Sequence, residues 1–392
     1  MKKNLIKNKS VFYAGLVYLI SISIYIGLRI LWSFGFLNNL DPILNDLVFS
    51  VVLQIFVLTL IPFFLYKFLT KQTIKQTLDR FFVKKINLKT VIYSILLGIV
   101  TYIVIIFVST CWSMIIQAFG YNPSTGASTT SALPTWLAFL LTVVSTSLLP
   151  GLGEETSHRG LLMGNASKNG LKRAILLSAL MFALAHLNIA QFGYAFVVGL
   201  LLGSVTYFTR SIFPAMIIHA TSNFISLYFT YAEANGWIGG QLFNNLSHFF
   251  ANNIFVSIII IFLVILLIIG LLYFLLVRIY VQARAQKIKN FRTRLYNSVK
   301  DTPMEKEIDF NNAFIVLELF NQATAKDLQH KMETGKITVP HLSHILDNSF
   351  NKMLYNELDE YQKINHFDYL FYYIAIFLTA ITTFITFIWG LL

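Results

Sequence analysis

Apolar residues in this chain come in long unbroken runs separated by short polar segments, rather than at the alternating spacing of a half-buried strand. A helix needs about 17 to 25 mostly apolar residues to cross the hydrocarbon core of a bilayer. Nine runs qualify, near 11–34, 47–69, 91–118, 135–163, 172–189, 191–208, 212–231, 252–280 and 367–391. Backbone polar groups in lipid must be satisfied within the segment or within a closed barrel, and runs of this length fit helices. The pattern predicts an all-α, polytopic transmembrane helical bundle of about eight or nine spans. The block 284–366 differs: it is charged, of mixed sign, punctuated by Pro303 and Pro340, and has helix-like apolar spacing in FNNAFIVLELFNQATAKDLQHKM and HILDNSFNKMLYNELDEY. It reads as a small helical cytoplasmic insert before the last span.

Composition agrees with a membrane protein, because 56% of residues are hydrophobic and 12% are charged, against about 25% charged in soluble domains. The net charge of +12 does not point to nucleic acid, since the positive residues gather in alternate loops as the positive-inside rule requires. Lys2, Lys3, Lys7 and Lys9 precede the first run, and Lys67, Lys71, Lys75, Arg80, Lys84, Lys85 and Lys89 follow the second. Asp41, Asp46, the uncharged YNPSTGASTTSALP and the 232–251 stretch fall on the other side. Continued alternation puts Lys168, Lys172, Arg173, Arg210 and 284–366 inside, with the N-terminus cytoplasmic and the C-terminus outside. The N-terminal run is followed by no small-residue cleavage site and reads as a retained anchor. The lone Cys111 excludes a disulfide framework and a cysteine-rich metal site. The bias towards Ile, Phe, Lys and Asn points to an AT-rich bacterium and so to a multi-pass protein of its cell membrane.

Five divisions follow: N-terminal spans with a basic loop over 1–90, a core over 91–231, an outer loop and eighth span over 232–283, the cytoplasmic helical region 284–366, and a last span over 367–392. Apart from Arg29, which can snorkel near the end of the first run, the unusual polar residues at membrane depth fall within 135–231. LLPGLGEETSHRGLL, residues 148–162, places Glu154, Glu155, His158 and Arg159 in an otherwise oily run. Ionisable groups at that depth are costly and mark a functional site unless they form a structural ion-pair knot between helices. Glu155 and Arg159 are four apart and share a helix face, whereas Glu154 is rotated by about 100° and points elsewhere. One carboxylate is thereby paired and one is free. Pro150 should kink or break the run beside protein or water. Gly151, Gly153, Gly160 and Gly164 flank it, while Gly199 and Gly203 read as close helix packing.

FALAHL adds His186 and MIIHATSN adds His219, with Phe182 and Asn223 one turn away from them. Either histidine alone would be an interhelical hydrogen-bonder. Counted from the expected cytoplasmic ends at about 1.5 Å per residue, however, Glu154 lies roughly 15 Å deep, His186 roughly 15 to 20 Å and His219 roughly 10 Å. Three helices so bring polar groups to one level, and two hydrolytic mechanisms fit. Glu154 and an imidazole can deprotonate a water while the second histidine and Asn223 stabilise an oxyanion. Alternatively Glu154, His186 and His219 can hold a zinc ion that acidifies its water, although no HExxH helix is present. Ser157 and Ser222 lie in no nucleophile-elbow pattern.

EETSHRG, FALAH and HATSN resemble, in order, the EExxxR, FxxxH and HxxxN motifs of the CPBP family of intramembrane proteases, which includes the type II CAAX prenyl endopeptidases and the Abi or bacteriocin self-immunity proteins. The resemblance covers roughly 91–231. It implies Glu154 as water activator, His186, His219 and Asn223 completing the site, Glu155 and Arg159 as support, Phe182 as a packing residue, and a metal-free mechanism without a cofactor. Thr156, Ser157 and His158 stand where the family commonly has apolar or aromatic residues, which leaves His158 as an extra proton carrier or part of an altered substrate groove.

The expected function is an intramembrane endopeptidase acting on a membrane-associated peptide or protein; a bacteriocin, a peptide pheromone or an envelope protein is a better candidate than a prenylated protein. The competing reading is a non-catalytic scaffold, an immunity or envelope assembly factor that binds a protein partner through 284–366. Transport would explain buried carboxylates, but no inverted repeat of interrupted spans accompanies them.

Overall fold

The computed structural model describes residues 8–122 except 36 and 38, 131–167, 170–301, positions 309, 311, 312, 316 and 319, and 366–391 except 390. The described chain is a helical bundle: α1 Lys9–Ser33, α2 Pro42–Thr70, the short α3 Ile74–Arg80, α4 Leu88–Ala118, α5 Thr135–Ala166, α6 Leu171–Ala185, α7 Ile189–Thr209, α8 Phe213–Asn235, α9 Leu242–Asn252, α10 Ile254–Val299 and α11 Leu370–Trp389. All nine apolar runs are helical. Among the described residues seven helices are long and apolar enough to cross a membrane. α6 falls short of the required length with 15 residues, and α8 has the length but not the hydropathy, because His219, Ser222 and Asn223 interrupt its apolar face.

The expected end of the eighth span near 280 is overrun. α10 continues for 46 residues to Val299, since RIYVQARAQKIKNFRTRLYNSV contains neither Pro nor Gly to stop it. The first part of 284–366 is thus a continuation of a membrane helix, and the two helix-like stretches further on lie outside the described residues apart from single positions.

α5 is not broken at Pro150. Helical winding runs through it, widened to i→i+5 hydrogen bonding over Val144–Leu148 and Thr156–Met163, and α2 is widened likewise over Val51–Leu60 ahead of Pro62. Proline has no N–H, so each return to α winding leaves carbonyls without a backbone donor. Side chains from neighbouring helices supply the missing hydrogen bonds. Ser50 Oγ donates to the Ser145 carbonyl at 2.6 Å, Asn223 Nδ2 to Thr146 at 3.0 Å, and Ser157 Oγ to Leu58 at 2.7 Å. Hence the Pro150 segment is sealed by protein rather than opened to water.

Close backbone approach sets α2 against α5. A Cβ on Gly153 would sit 2.6 Å from the Gln54 carbonyl oxygen and 2.8 Å from its Cα. On the opposite side Gly15 of α1 receives the Tyr372 ring of α11, whose hydroxyl donates to the Leu162 carbonyl at 3.3 Å. Ahead of α2, Asp41 caps the helix through Ile43 N–H at 3.0 Å and holds Ala132 N–H at 2.8 Å and the Ser131 hydroxyl at 2.9 Å, tying the α2 and α5 entries together.

Two outcomes are expected. Gly153→Ala destabilises the protein by about 1–3 kcal/mol through overpacking, whereas Gly270→Ala, where an added Cβ meets nothing within 4 Å, does not; thermal unfolding in detergent compares them. For Asp41, slight burial works against ionisation, but the donors from Ala132, Ser131, Ile43 and Leu44 outweigh it and hold the carboxyl below its ordinary range. A depressed folded value means that the clamp's stabilisation is present above the ordinary carboxylate pKa of about 3.9 and is lost as pH falls through the folded value. Asp41→Asn should remove that acid-dependent loosening, read as protease nicking between α4 and α5 against pH.

Candidate active site

The four ionisable residues of 154–159 are divided by a change of winding. Glu154 and Glu155 end an α-wound turn, and the wide winding begins at Thr156. Glu155 turns into the bundle and is fully buried, while Glu154 is half-buried and faces a cavity.

Glu155 Oε1 accepts from Arg159 Nη1 at 3.0 Å and from His219 Nδ1 at 2.9 Å. Arg159, also fully buried, donates from Nη2 to the Gly199 carbonyl at 3.1 Å, and its guanidinium lies over the Phe182 ring, 4.3 Å from the centroid. A buried ion pair is tolerated only when further hydrogen bonds satisfy its members. Here α5 supplies both charges, α8 the imidazole, α7 the carbonyl and α6 the aromatic face, and the pair is satisfied only in part, since Glu155 Oε2 and Arg159 Nε have no hydrogen-bond partner among the described residues. Phe182 is the hub of the three histidines: its ring meets His186, His158 and His219 edge-on at centroid distances of 5.0, 5.3 and 5.7 Å.

Glu154 has a different set of partners. Gln54 Nε2, from the wide part of α2, donates to its Oε1 at 3.2 Å. The cavity before it has a volume of about 90 Å³, room for a few water molecules. His158 and His186 line the same cavity, walled by Leu53, Leu58 and Ala185. His186 caps the C-terminus of α6 and its Nδ1 bonds the Phe182 carbonyl at 2.9 Å. A carbonyl only accepts, so Nδ1 carries the proton and Nε2 of the neutral ring is left as an acceptor. His158 is tied at both nitrogens, Nδ1 donating to the Glu154 carbonyl at 2.7 Å and Nε2 accepting from the Tyr18 hydroxyl at 3.0 Å.

The residues expected from sequence therefore separate into groups. Glu154, His186 and His158 share the cavity. His219 meets Phe182 and Glu155 and is not in the cavity lining, and Asn223 gives one amide hydrogen to the Thr146 carbonyl. The hydroxyl of Ser157 is held by Leu58 and that of Ser222 by the His219 carbonyl. Among the described residues no three His, Cys, Asp or Glu side chains form a group that could hold a metal ion.

Three contributors were not read from sequence. Gln54 is an amide within an apolar run, 4% exposed, and its presence there was the available signal that 135–231 does not hold all the polar residues at depth. Tyr18 bonds His158 from α1. Arg29 does more than snorkel: it lines the cavity and donates to the Tyr25 hydroxyl at 3.1 Å.

Residues 135–225 match the family model described as type II CAAX prenyl endopeptidase Rce1-like. The match is narrower than the 91–231 expected from the motifs, yet it holds Glu154, Glu155, Arg159, Phe182, His186, His219 and Asn223; Tyr18, Arg29 and Gln54 lie outside it. No curated protein and no solved structure matches the chain. The chain is thus a multi-pass membrane protein that carries, over residues 135–225, a segment similar to the type II CAAX prenyl endopeptidase Rce1-like family.

Proposed function

We propose that this protein is an intramembrane endopeptidase that hydrolyses a peptide bond in a membrane-associated peptide or protein. The observation that carries this reading is the shared cavity of Glu154 and His186, two proton-handling groups facing a space that admits water. In this reading Glu154 takes the proton of a water poised between it and His186 Nε2, and the resulting hydroxide attacks the scissile carbonyl. Gln54 holds one carboxylate oxygen and leaves the other for the water. His219, oriented by Glu155 as the imidazole of a hydrolytic triad is oriented by its carboxylate, and the second N–H of Asn223 stand on the oxyanion side. The proton held by Glu154 or His186 then passes to the leaving amine. No metal takes part.

The scaffold reading draws on two observations: Asn223 is engaged in backbone repair at Thr146, and His219 is not in the cavity lining. Substitution in the source organism separates the two. Glu154→Ala and His186→Ala should each cut processing about 10²- to 10⁴-fold, seen as an accumulating uncleaved precursor at normal expression. His219→Ala should do the same if it serves the oxyanion. Wild-type processing in all three variants would leave the scaffold reading.

Gln54 gives a finer test. Loss of a hydrogen bond to a charged group costs about 1.5–3 kcal/mol, so Gln54→Leu is expected to reduce turnover at least about tenfold with substrate affinity retained. An unchanged kcat would remove Gln54 from the mechanism.

A further inference from the structure

Two histidines from different helices line the cavity, and both rings are held in the same tautomer. Each imidazole donates from Nδ1 to the carbonyl four residues before it, His158 to Glu154 at 2.7 Å and His186 to Phe182 at 2.9 Å. With Nδ1 protonated on a neutral ring, Nε2 is an acceptor in both. The two differ in what meets that acceptor. His186 Nε2 has no hydrogen-bond partner among the described residues, whereas His158 Nε2 is capped at 3.0 Å by the hydroxyl of Tyr18, a residue of α1.

Tyr18 is buried, and its ring lies edge-on to the His158 imidazole with centroids 5.4 Å apart. Its one hydroxyl hydrogen goes to His158, because a neutral ring that already donates from Nδ1 can offer Nε2 only as an acceptor. The Met181 carbonyl, 3.5 Å from the same hydroxyl, is too far for a good hydrogen bond. Without the phenol, His158 would keep a buried acceptor facing an apolar ring, which is costly. The space that His158 lines admits the water that would satisfy it.

We infer that Tyr18 is a positioning residue that acts through His158: by capping Nε2 it keeps the second imidazole of the cavity closed, so that water is presented to Glu154 and His186 alone. The inference rests on the peptidase reading above and adds to it a residue from the first span, outside the segment 135–225. In this arrangement His158 holds the Glu154 carbonyl with one nitrogen and Tyr18 with the other, and has none open to the water. The choice of which histidine handles the proton is made by α1.

The test compares full-length Tyr18→Phe, His158→Asn and the double variant in the source organism at matched expression, with the uncleaved precursor as the readout. Asparagine places an N–H donor where His158 has Nδ1 and carries no second ring nitrogen. Tyr18→Phe should slow processing about tenfold, and His158→Asn should retain most of it. The double variant should match His158→Asn, since loss of the phenol matters only while an imidazole is there to be released. Wild-type processing by Tyr18→Phe, or a double variant as slow as Tyr18→Phe or slower, overturns the inference and leaves Tyr18 a packing residue. A second measurement needs no substrate: nitrogen NMR of the purified protein in micelles with isotope-labelled histidine, the His158 signals being assigned by their loss in His158→Asn. The ring should be protonated at Nδ1, and its Nε2 resonance should shift in Tyr18→Phe. Protonation at Nε2, or an Nε2 resonance indifferent to the phenol, overturns the cap whatever the activity. Failure of the peptidase reading shows elsewhere, as normal precursor processing by Glu154→Ala.

Discussion

The bundle is organised around one buried ion pair. Glu155 and Arg159 are both fully shielded at membrane depth, where an unpaired charge would cost several kcal/mol. Their mutual bond does not use all their hydrogen-bonding capacity, so the fold brings in His219 from α8 and the Gly199 carbonyl from α7 and lays the Phe182 face against the guanidinium. Gly199 can present its carbonyl because its backbone lies against Ala179, with room for no side chain between them. Four helices are fixed in rotation about a single guanidinium. The positions of the three histidines around Phe182 follow from that arrangement.

Proline imposes the second constraint. Pro62 and Pro150 each remove a donor from a long membrane helix, and wide winding just before them leaves carbonyls that lipid cannot satisfy. Ser50, Ser157 and Asn223 close those gaps across helix boundaries. Two of the three lie in or beside the motif residues, so a polar side chain in this core can serve the backbone as well as chemistry. Residue type and spacing alone do not separate the two duties; the partner atom does.

Much of this was legible because it depends on single-helix geometry. The i, i+4 spacing joined Glu155 to Arg159, and the 100° step set Glu154 apart. The depth of polar residues along three runs anticipated that His186 and His219 would approach one centre. What stayed hidden depends on how one helix rotates against another. α1 and α4 are apolar on nearly every face and carry almost no amphipathic signal, so nothing in their period announces that Tyr18 meets His158 or that Arg29 turns to the cavity. The pairing of Gln54 with Glu154 needs the bare backbone of Gly153, a contact across 100 residues of chain. The persistence of α10 past the membrane was obscured for another reason: a change of composition near 284 looks like a boundary, yet helix propensity does not change there.

The two adjacent glutamates show how the fold assigns different chemistry to one residue type. Glu155 is held by two cationic or proton-bearing partners and is closed to water, which suits it to orient His219 and ill suits it to accept a proton from a substrate water. Glu154 has one amide donor and an open cavity. That donor comes from α2, and the lining of the cavity besides Glu154 comes largely from α1 and α2, so the matched segment 135–225 supplies Glu154, His158 and His186 without enclosing them. In the peptidase reading the chemistry is carried by the motif helices, while the fit of the substrate, and with it the choice of what is cut, belongs to the N-terminal spans over 1–90.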